Sequence, residues 1–200
     1  MKRPRHWFYA AVPSTAAIFS LLLLFQALWI PLKAELAQRL IERSWEKTQG
    51  GDPDSRPWPW ADTRAGAVLS IPEHGIRQVV LEGNSGRNLA FGPVFVDGTL
   101  NGRDHVISGH RDTHFRFLQS LQTGDLIQLT TRQSARWFEV RYTEVVDSRR
   151  EELVIDPGMD RISLVTCYPF DSLAAGGPLR YVVTALPAIP ASGRRQPSSG

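Results

Sequence analysis

Cys167 is the single cysteine of a 200-residue chain, and a thiolate is the strongest nucleophile such a chain can offer. It closes the run ISLVTC at 162–167 and is followed by Tyr168-Pro169. The aliphatic and β-branched residues predict a strand. Proline cannot donate to a ladder and ends it, so the sulfur falls at a strand end, where a site opens to solvent. A second run, HVISGHRDTHF at 105–115, ends a strand in the same way and brings His105, His110 and His114 within ten residues; a third, GGPLRYVV at 176–183, begins a strand and carries Arg180. A lone thiol by itself is an inert buried side chain, an intermolecular link or a reactive group. Beside a histidine and an arginine the set is chemically coherent. Positive charge favours loss of the thiol proton, an imidazole exchanges protons with a leaving or entering amine, and a guanidinium holds a developing oxyanion. Spacing alone does not bring the three together.

Other candidates are weighed against plainer roles. Asp112, two residues after His110, either orients the imidazole or the barrel mouth or is a solvated loop carboxylate. Arg111 and His114 read as supports of the local turn, and His74, in PEHG at 72–75, as a turn residue. His105, His110 and His114 do not make a metal site, because H-E-x-x-H is absent and their spacings of five and four cross a strand end and a glycine. Asp97 and Asp104 form no calcium motif. No cofactor is expected.

The elements that must position these groups are mostly strands. Short β-like runs at 67–71, 78–81, 89–96, 105–108, 126–131, 136–146, 162–166 and 180–186 are punctuated by Gly, Pro, Asn and Asp, which predicts an all-β barrel or sandwich, with one short helix near 114–121. There is no internal repeat and no Gly-rich phosphate loop.

Ahead of this body, residues 7–32 carry no charge, and Lys2, Arg3 and Arg5 precede them. A helix of that length spans roughly 39 Å against a hydrocarbon core of about 30 Å. The positive-inside rule keeps residues 1–6 in the cytoplasm and sends the rest across the membrane. The following Lys33-Ala-Glu-Leu-Ala37 offers no A-x-A cleavage site, which favours an uncleaved anchor over a signal peptide. Residues 33–49 read as a helical stalk with Glu35 and Arg39 paired at i,i+4, stopped by Gly50-Gly51. The segment GGDPDSRPWPWA (50–61) is a linker, or a strap whose Trp58 and Trp60 pack on the body. This gives a basic head (1–6), an anchor (7–32), a stalk and linker (33–61), a folded domain (62–188) and a disordered tail (189–200). The formal charge of +3 comes from the ends: residues 7–188 hold 18 basic against 20 acidic side chains. A nucleic-acid surface carries its basic excess in the folded body, so nucleic acid is not an expected partner.

SGHRDTHF (108–115), VTCYPF (165–170) and GPLRYVV (177–183), in that order, resemble the signature segments of the sortases, and GDLIQL (124–129) resembles the strand that follows the histidine in that family. The likeness covers about residues 62–188. The Trp-rich strap, LAFGP (89–93) and CYPF look most like the sortases of Gram-negative proteobacteria. The resemblance implies an eight-stranded sortase β-barrel and a membrane-anchored cysteine transpeptidase. It implies that an LPxTG-like C-terminal sorting signal is cut after its threonine, through a thioester on Cys167, and passed to an amine acceptor. His110 is then the general acid/base, and Arg180 stabilises the oxyanion or positions the substrate. In a Gram-negative cell the domain faces the periplasm from the inner membrane. The rivals are a papain-like cysteine hydrolase, in which the cysteine usually precedes the histidine, and an L,D-transpeptidase, whose Ser-His-Gly-Cys signature is missing. A non-enzymatic β-domain with a structural cysteine is the third.

Overall fold

The computed structural model describes residues 6–83, 85–151, 154–172 and 176–190. The expected tail lies almost wholly outside them, and so does the basic head apart from His6.

Eight strands form a closed barrel: β1 (Ala65–Ile71), β2 (Ile76–Leu81), β3 (Val94–Phe95), β4 (Asp104–Ser108), β5 (Leu126–Thr131), β6 (Ala135–Asp147), β7 (Arg161–Cys167) and β8 (Leu179–Pro187), in the spatial order β1-β2-β3-β4-β7-β8-β6-β5. Antiparallel β1–β5 pairing closes the ring. Most pairs are antiparallel; β4 and β7 lie side by side in parallel, from Asp104↔Arg161 to Ser108↔Val165.

Alternation along each strand sends one set of side chains inward. Leu69, Ile71, Ile107, Leu129, Phe138, Ile162, Leu164 and Val183 fill the interior with Phe95, Phe115 and Leu118. A second cluster lies on the outside of β1 and β2, where Val68, Val79 and Leu81 are covered by Ile41 and Trp45. Alternation sends Ala67 and Leu69 to the interior and Val68 outward, and the register shift between Ala65 and Ala67 puts Ala65 on the outer side with Val68. The strand therefore reads as a continuous apolar run.

Ile41 and Trp45 sit on α1 (His6–Gln49), one unbroken helix. The chain groups into two compact units, residues 1–39 and residues 40–200. The last turns of the expected stalk thus belong with the barrel. The helix stops where expected: Gly50 N still reaches Glu46 O at 3.0 Å, and Gly51 takes φ 101°, which glycine alone adopts freely. Residues 50–55 fold back, and Ser44 Oγ donates to Ser55 O at 2.8 Å. Among the described residues no helix is long and apolar enough to cross a membrane; most side chains of 6–19 lie outside the description.

Three local expectations change. The run 89–96 is not one strand: Ser85 caps the single turn α2 (Gly86–Leu89) by accepting from Asn88 N at 3.1 Å, and only Val94–Phe95 pair. Gly92-Pro93 interrupt the ladder between them. Of the strap tryptophans, Trp58 packs edge-on to Phe91 with centroids 4.9 Å apart, whereas Trp60 is 81% exposed. The helix expected near 114–121 is a 3-10 segment, Arg116–Ser120, whose Leu118 is buried.

Candidate active site

Cys167 is the last residue of β7 and is half-buried. Ile162 and Leu164 point into the barrel, so by alternation Val165 and Cys167 face out. Across the antiparallel pair, Cys167 stands opposite Arg180. Tyr168 N donates to Leu179 O at 3.0 Å, which makes 168/179 the hydrogen-bonded pair and 167/180 the closer, non-hydrogen-bonded one. The sulfhydryl and the guanidinium therefore rise from the same outer face of neighbouring strands.

The histidine arrives from the other side. Ser108 is level with Val165 on the parallel β4, and Gly109 N donates to Val165 O at 3.1 Å. Thr166 Oγ1 returns a bond to Gly109 O at 2.7 Å. A Cβ on Gly109 would stand 2.6 Å from the Phe115 ring, so this residue faces the packed interior and only glycine fits. His110, one residue on, is exposed beyond the end of β4. His110 and Cys167 are each two residues past a matched pair of parallel strands about 4.8 Å apart. Histidine, cysteine and arginine thus come together at one end of β4, β7 and β8, three consecutive staves of the barrel.

The other histidines go elsewhere. His105 has the inward parity of Ile107: its ring is buried between Phe95 and Phe138, and Nδ1–H donates to Thr99 O at 2.9 Å. Burial pushes its pKa below the usual imidazole value. His114 is half-buried and is also held low, by burial first and by the nearby His110 second. Among the described residues no three His, Cys, Asp or Glu side chains gather as a metal site. His74 lies in the turn between β1 and β2, as expected, and its Nε2 also meets Asp125 Oδ2 at 2.9 Å.

Among the described residues no hydrogen bond joins Asp112 to the His110 imidazole. Both its oxygens are taken by Arg111, with Nε to Oδ1 at 2.8 Å and Nη2 to Oδ2 at 3.0 Å. That pairing, ahead of the neighbouring charges, lowers the Asp112 pKa. Arg111 is more than a support of its own turn: its side chain is 8% exposed and bonds the carbonyls of Pro169 and Ser172. No sequence signal gives this away, because the acceptors are main-chain oxygens some sixty residues along the chain. Arg180 is anchored through Nη1 to Gly177 O at 2.6 Å and Leu179 O at 2.9 Å. Tyr168, Phe170 and Tyr181 form an aromatic cluster beside the cysteine, Tyr168 and Phe170 with centroids 6.1 Å apart and Phe170 and Tyr181 5.2 Å apart.

A cavity of about 240 Å³ lies along the outer faces of β6, β7 and β8, and of the three rim groups Arg180 alone lines it. Val146, Val165 and Val182 floor it, Arg180 stands at one end, and Glu144, Glu151 and Val154 edge it. Apart from Arg180, sequence reasoning missed these residues, since an outward-facing position carries no pattern that separates groove from open surface. A cavity of about 280 Å³ elsewhere, among Arg64, Glu82 and Arg132, holds none of the three rim groups.

The closed eight-stranded barrel thus carries an outward-facing cysteine, a histidine on the parallel neighbour and an arginine opposite. The model of the Sortase domain matches residues 69–188, and the chain belongs to the sortase family. It is 30% identical over 125 residues to Sortase D of Bacillus subtilis strain 168, covering 60% of this chain and 62% of that protein. The chain thus spans about three fifths of the length of this curated relative. Its fold is similar to that of a Sortase D5 transpeptidase from Clostridium perfringens, with a TM-score of 0.61, 21% identity, and 77% of this chain and 99% of the other covered. It is also similar to a Clostridium perfringens sortase C with the C-terminal cell wall sorting motif, with a TM-score of 0.53, 20% identity, and 78% and 90% covered.

Proposed function

We propose that the protein is a membrane-anchored cysteine transpeptidase that acts on an LPxTG-like C-terminal sorting signal. The observation that carries this reading is the register of Cys167 against Arg180, with His110 on the parallel neighbour; Arg180 also lines a groove large enough for part of an extended peptide.

In the reaction the Cys167 thiolate attacks the threonine carbonyl carbon. Arg180 faces the oxyanion that develops. The tetrahedral adduct collapses, the Thr–Gly C–N bond breaks, and the His110 imidazolium gives its proton to the departing amine. A thioester remains on Cys167. An entering amine then loses a proton to the neutral imidazole, forms the new amide and releases the thiolate. Water in place of the amine makes the enzyme an endopeptidase. No metal or cofactor enters these steps.

The anchor belongs to the same reading. The described side chains of α1 include Leu21, Leu23, Phe25 and Leu32, 52–69% exposed, an apolar surface suited to lipid. The Lys33 ammonium lies 5.6 Å over the Trp29 ring, a pairing suited to the membrane–water interface. The protein is then a single-pass protein of the inner membrane with its catalytic domain in the periplasm. The affinity to Gram-negative sortases rests on the strap and on LAFGP, which meet in the Trp58–Phe91 contact.

The test is intact-mass detection of an adduct on Cys167 after the full chain in detergent is mixed with LPxTG-like peptides. An acyl adduct that a small amine then discharges is expected. Cys167→Ala should keep its melting temperature and lose the adduct and all turnover; turnover in that variant refutes the reading. His110→Ala and Arg180→Met should each slow turnover by about 100-fold or more. For the anchor, the full chain should stay with the bilayer on alkaline extraction, and release into the soluble fraction would refute the anchored form.

A further inference from the structure

The residue after the histidine joins the two halves of the site. Arg111 is buried, and its guanidinium is shared among four acceptors: Nε and Nη2 go to the two Asp112 oxygens, Nη1 to Pro169 O at 2.7 Å, and Nη2 also to Ser172 O at 2.8 Å. Pro169 is two residues after Cys167, and Arg111 is covalently next to His110. One planar cation therefore bridges the turn that carries the imidazole and the segment that leaves the cysteine strand. The bonds between Gly109 and residues 165–166 tie the same two chains on the barrel side of the pair. Arg111 ties them on the far side, so His110 and Cys167 are held between two sets of cross-links.

We propose that Arg111 is a positioning residue for the transfer reaction: it fixes the approach of the His110 imidazole to the Cys167 sulfur, with Asp112 holding its fork in the plane that reaches both carbonyls. This rests on the reading of Cys167 and His110 as the reacting pair. The geometry calls for arginine in particular. Its five donors lie in a rigid fork, whereas an ammonium on a flexible stem cannot span a carboxylate on one side and two carbonyls on the other. Asp112 is 68% exposed, so its pairing with Arg111 adds little to stability; what it contributes is direction. A displacement of about 1 Å between reacting groups costs on the order of 100-fold in rate.

The test uses the full chain and the peptide that acylates Cys167 in the experiment above. Arg111→Met should lower kcat by about 100-fold with KM within about threefold, because alignment is lost while the groove is intact. Arg111→Lys, which keeps the charge without the fork, should recover no more than about a tenth of the kcat. Asp112→Ala should cost about tenfold in kcat with an unchanged melting temperature. Wild-type kcat in Arg111→Met, full rescue by lysine, or a loss that only tracks the folded fraction in a thermal melt overturns the proposal. Should Arg111→Met fail to fold, Asp112→Ala decides, and an unchanged kcat there overturns it. Turnover in Cys167→Ala would instead sink the underlying function and leave the Arg111 variants to be read as structural.

Discussion

His105 and His110 lie five residues apart on one run, and parity gives them opposite fates. His105 points inward, neutral, with Nδ1–H on Thr99 O; His110 stands on the rim. Burial depresses the pKa of His105 and of His114, so both rings take up protons more readily in the unfolded chain than in the folded one. Between the folded values and the unfolded value of about 6.5 the unfolded state holds more protons, and stability rises with pH. The contribution is complete above about pH 6.5 and is lost as the pH falls through the depressed range. The urea midpoint should therefore drop between about pH 7 and pH 5. In His105→Asn, whose side-chain N–H still reaches Thr99 O, the slope should be shallower. A wild-type midpoint that is flat over that window would show that neither ring is held neutral. The carboxylates held low by arginine partners, Asp147 at about 2 among them, titrate below this window and do not blur it.

At the scale of elements, the connection between β6 and β7 is held by a buried ion pair. Asp104, 1% exposed at the start of β4, binds Arg161 at the start of β7 through Nε and Nη2 at 2.8 and 2.9 Å and accepts from Asp156 N at 2.9 Å. Arg161 also donates to Val154 O at 2.7 Å, and Val154 edges the groove. Removing one partner leaves a buried charge uncompensated. Asp104→Asn should cost about 3 kcal/mol in urea denaturation and raise the peptide KM as the groove edge loosens. A loss below about 1 kcal/mol would mean that water reaches Arg161. The pair was not legible in the sequence, which gave Asp104 only as an isolated carboxylate. The ladder was: the runs 126–131, 136–146, 162–166 and 180–186 all became strands within a residue or so of their expected ends. The run 89–96 misled because its apolar residues serve two purposes, Leu89 and Phe91 covering the outer cluster while Val94 and Phe95 pair.

At the scale of the molecule, the barrel is not bounded by its strands. Ile41 and Trp45, 1% and 6% exposed, cap the outer faces of β1 and β2. Arg77 Nη1 reaches Glu42 Oε1 at 2.6 Å beside them. A chain that begins at residue 50 bares Val68, Val79 and Leu81 and should lose about 4 kcal/mol or more against one that begins at residue 36. Equal melting temperatures for the two would show that the helix end is dispensable.

What the sequence determined by itself was local and periodic. Alternation and turn residues set out the strands, Gly50-Gly51 ended the helix, and three short runs named the candidate cysteine, histidine and arginine. Only the tertiary structure decided what depends on residues far apart in the chain. The parallel pairing of β4 with β7 puts His110 beside Cys167, the helix end packed on its outer side gives β1 two buried faces, and Arg111 is turned from a turn residue into a cross-link. Periodicity reports which face a side chain takes. It carries no information about which strand lies alongside, because that is fixed by closure of the ring and by the shared burial of side chains from every stave.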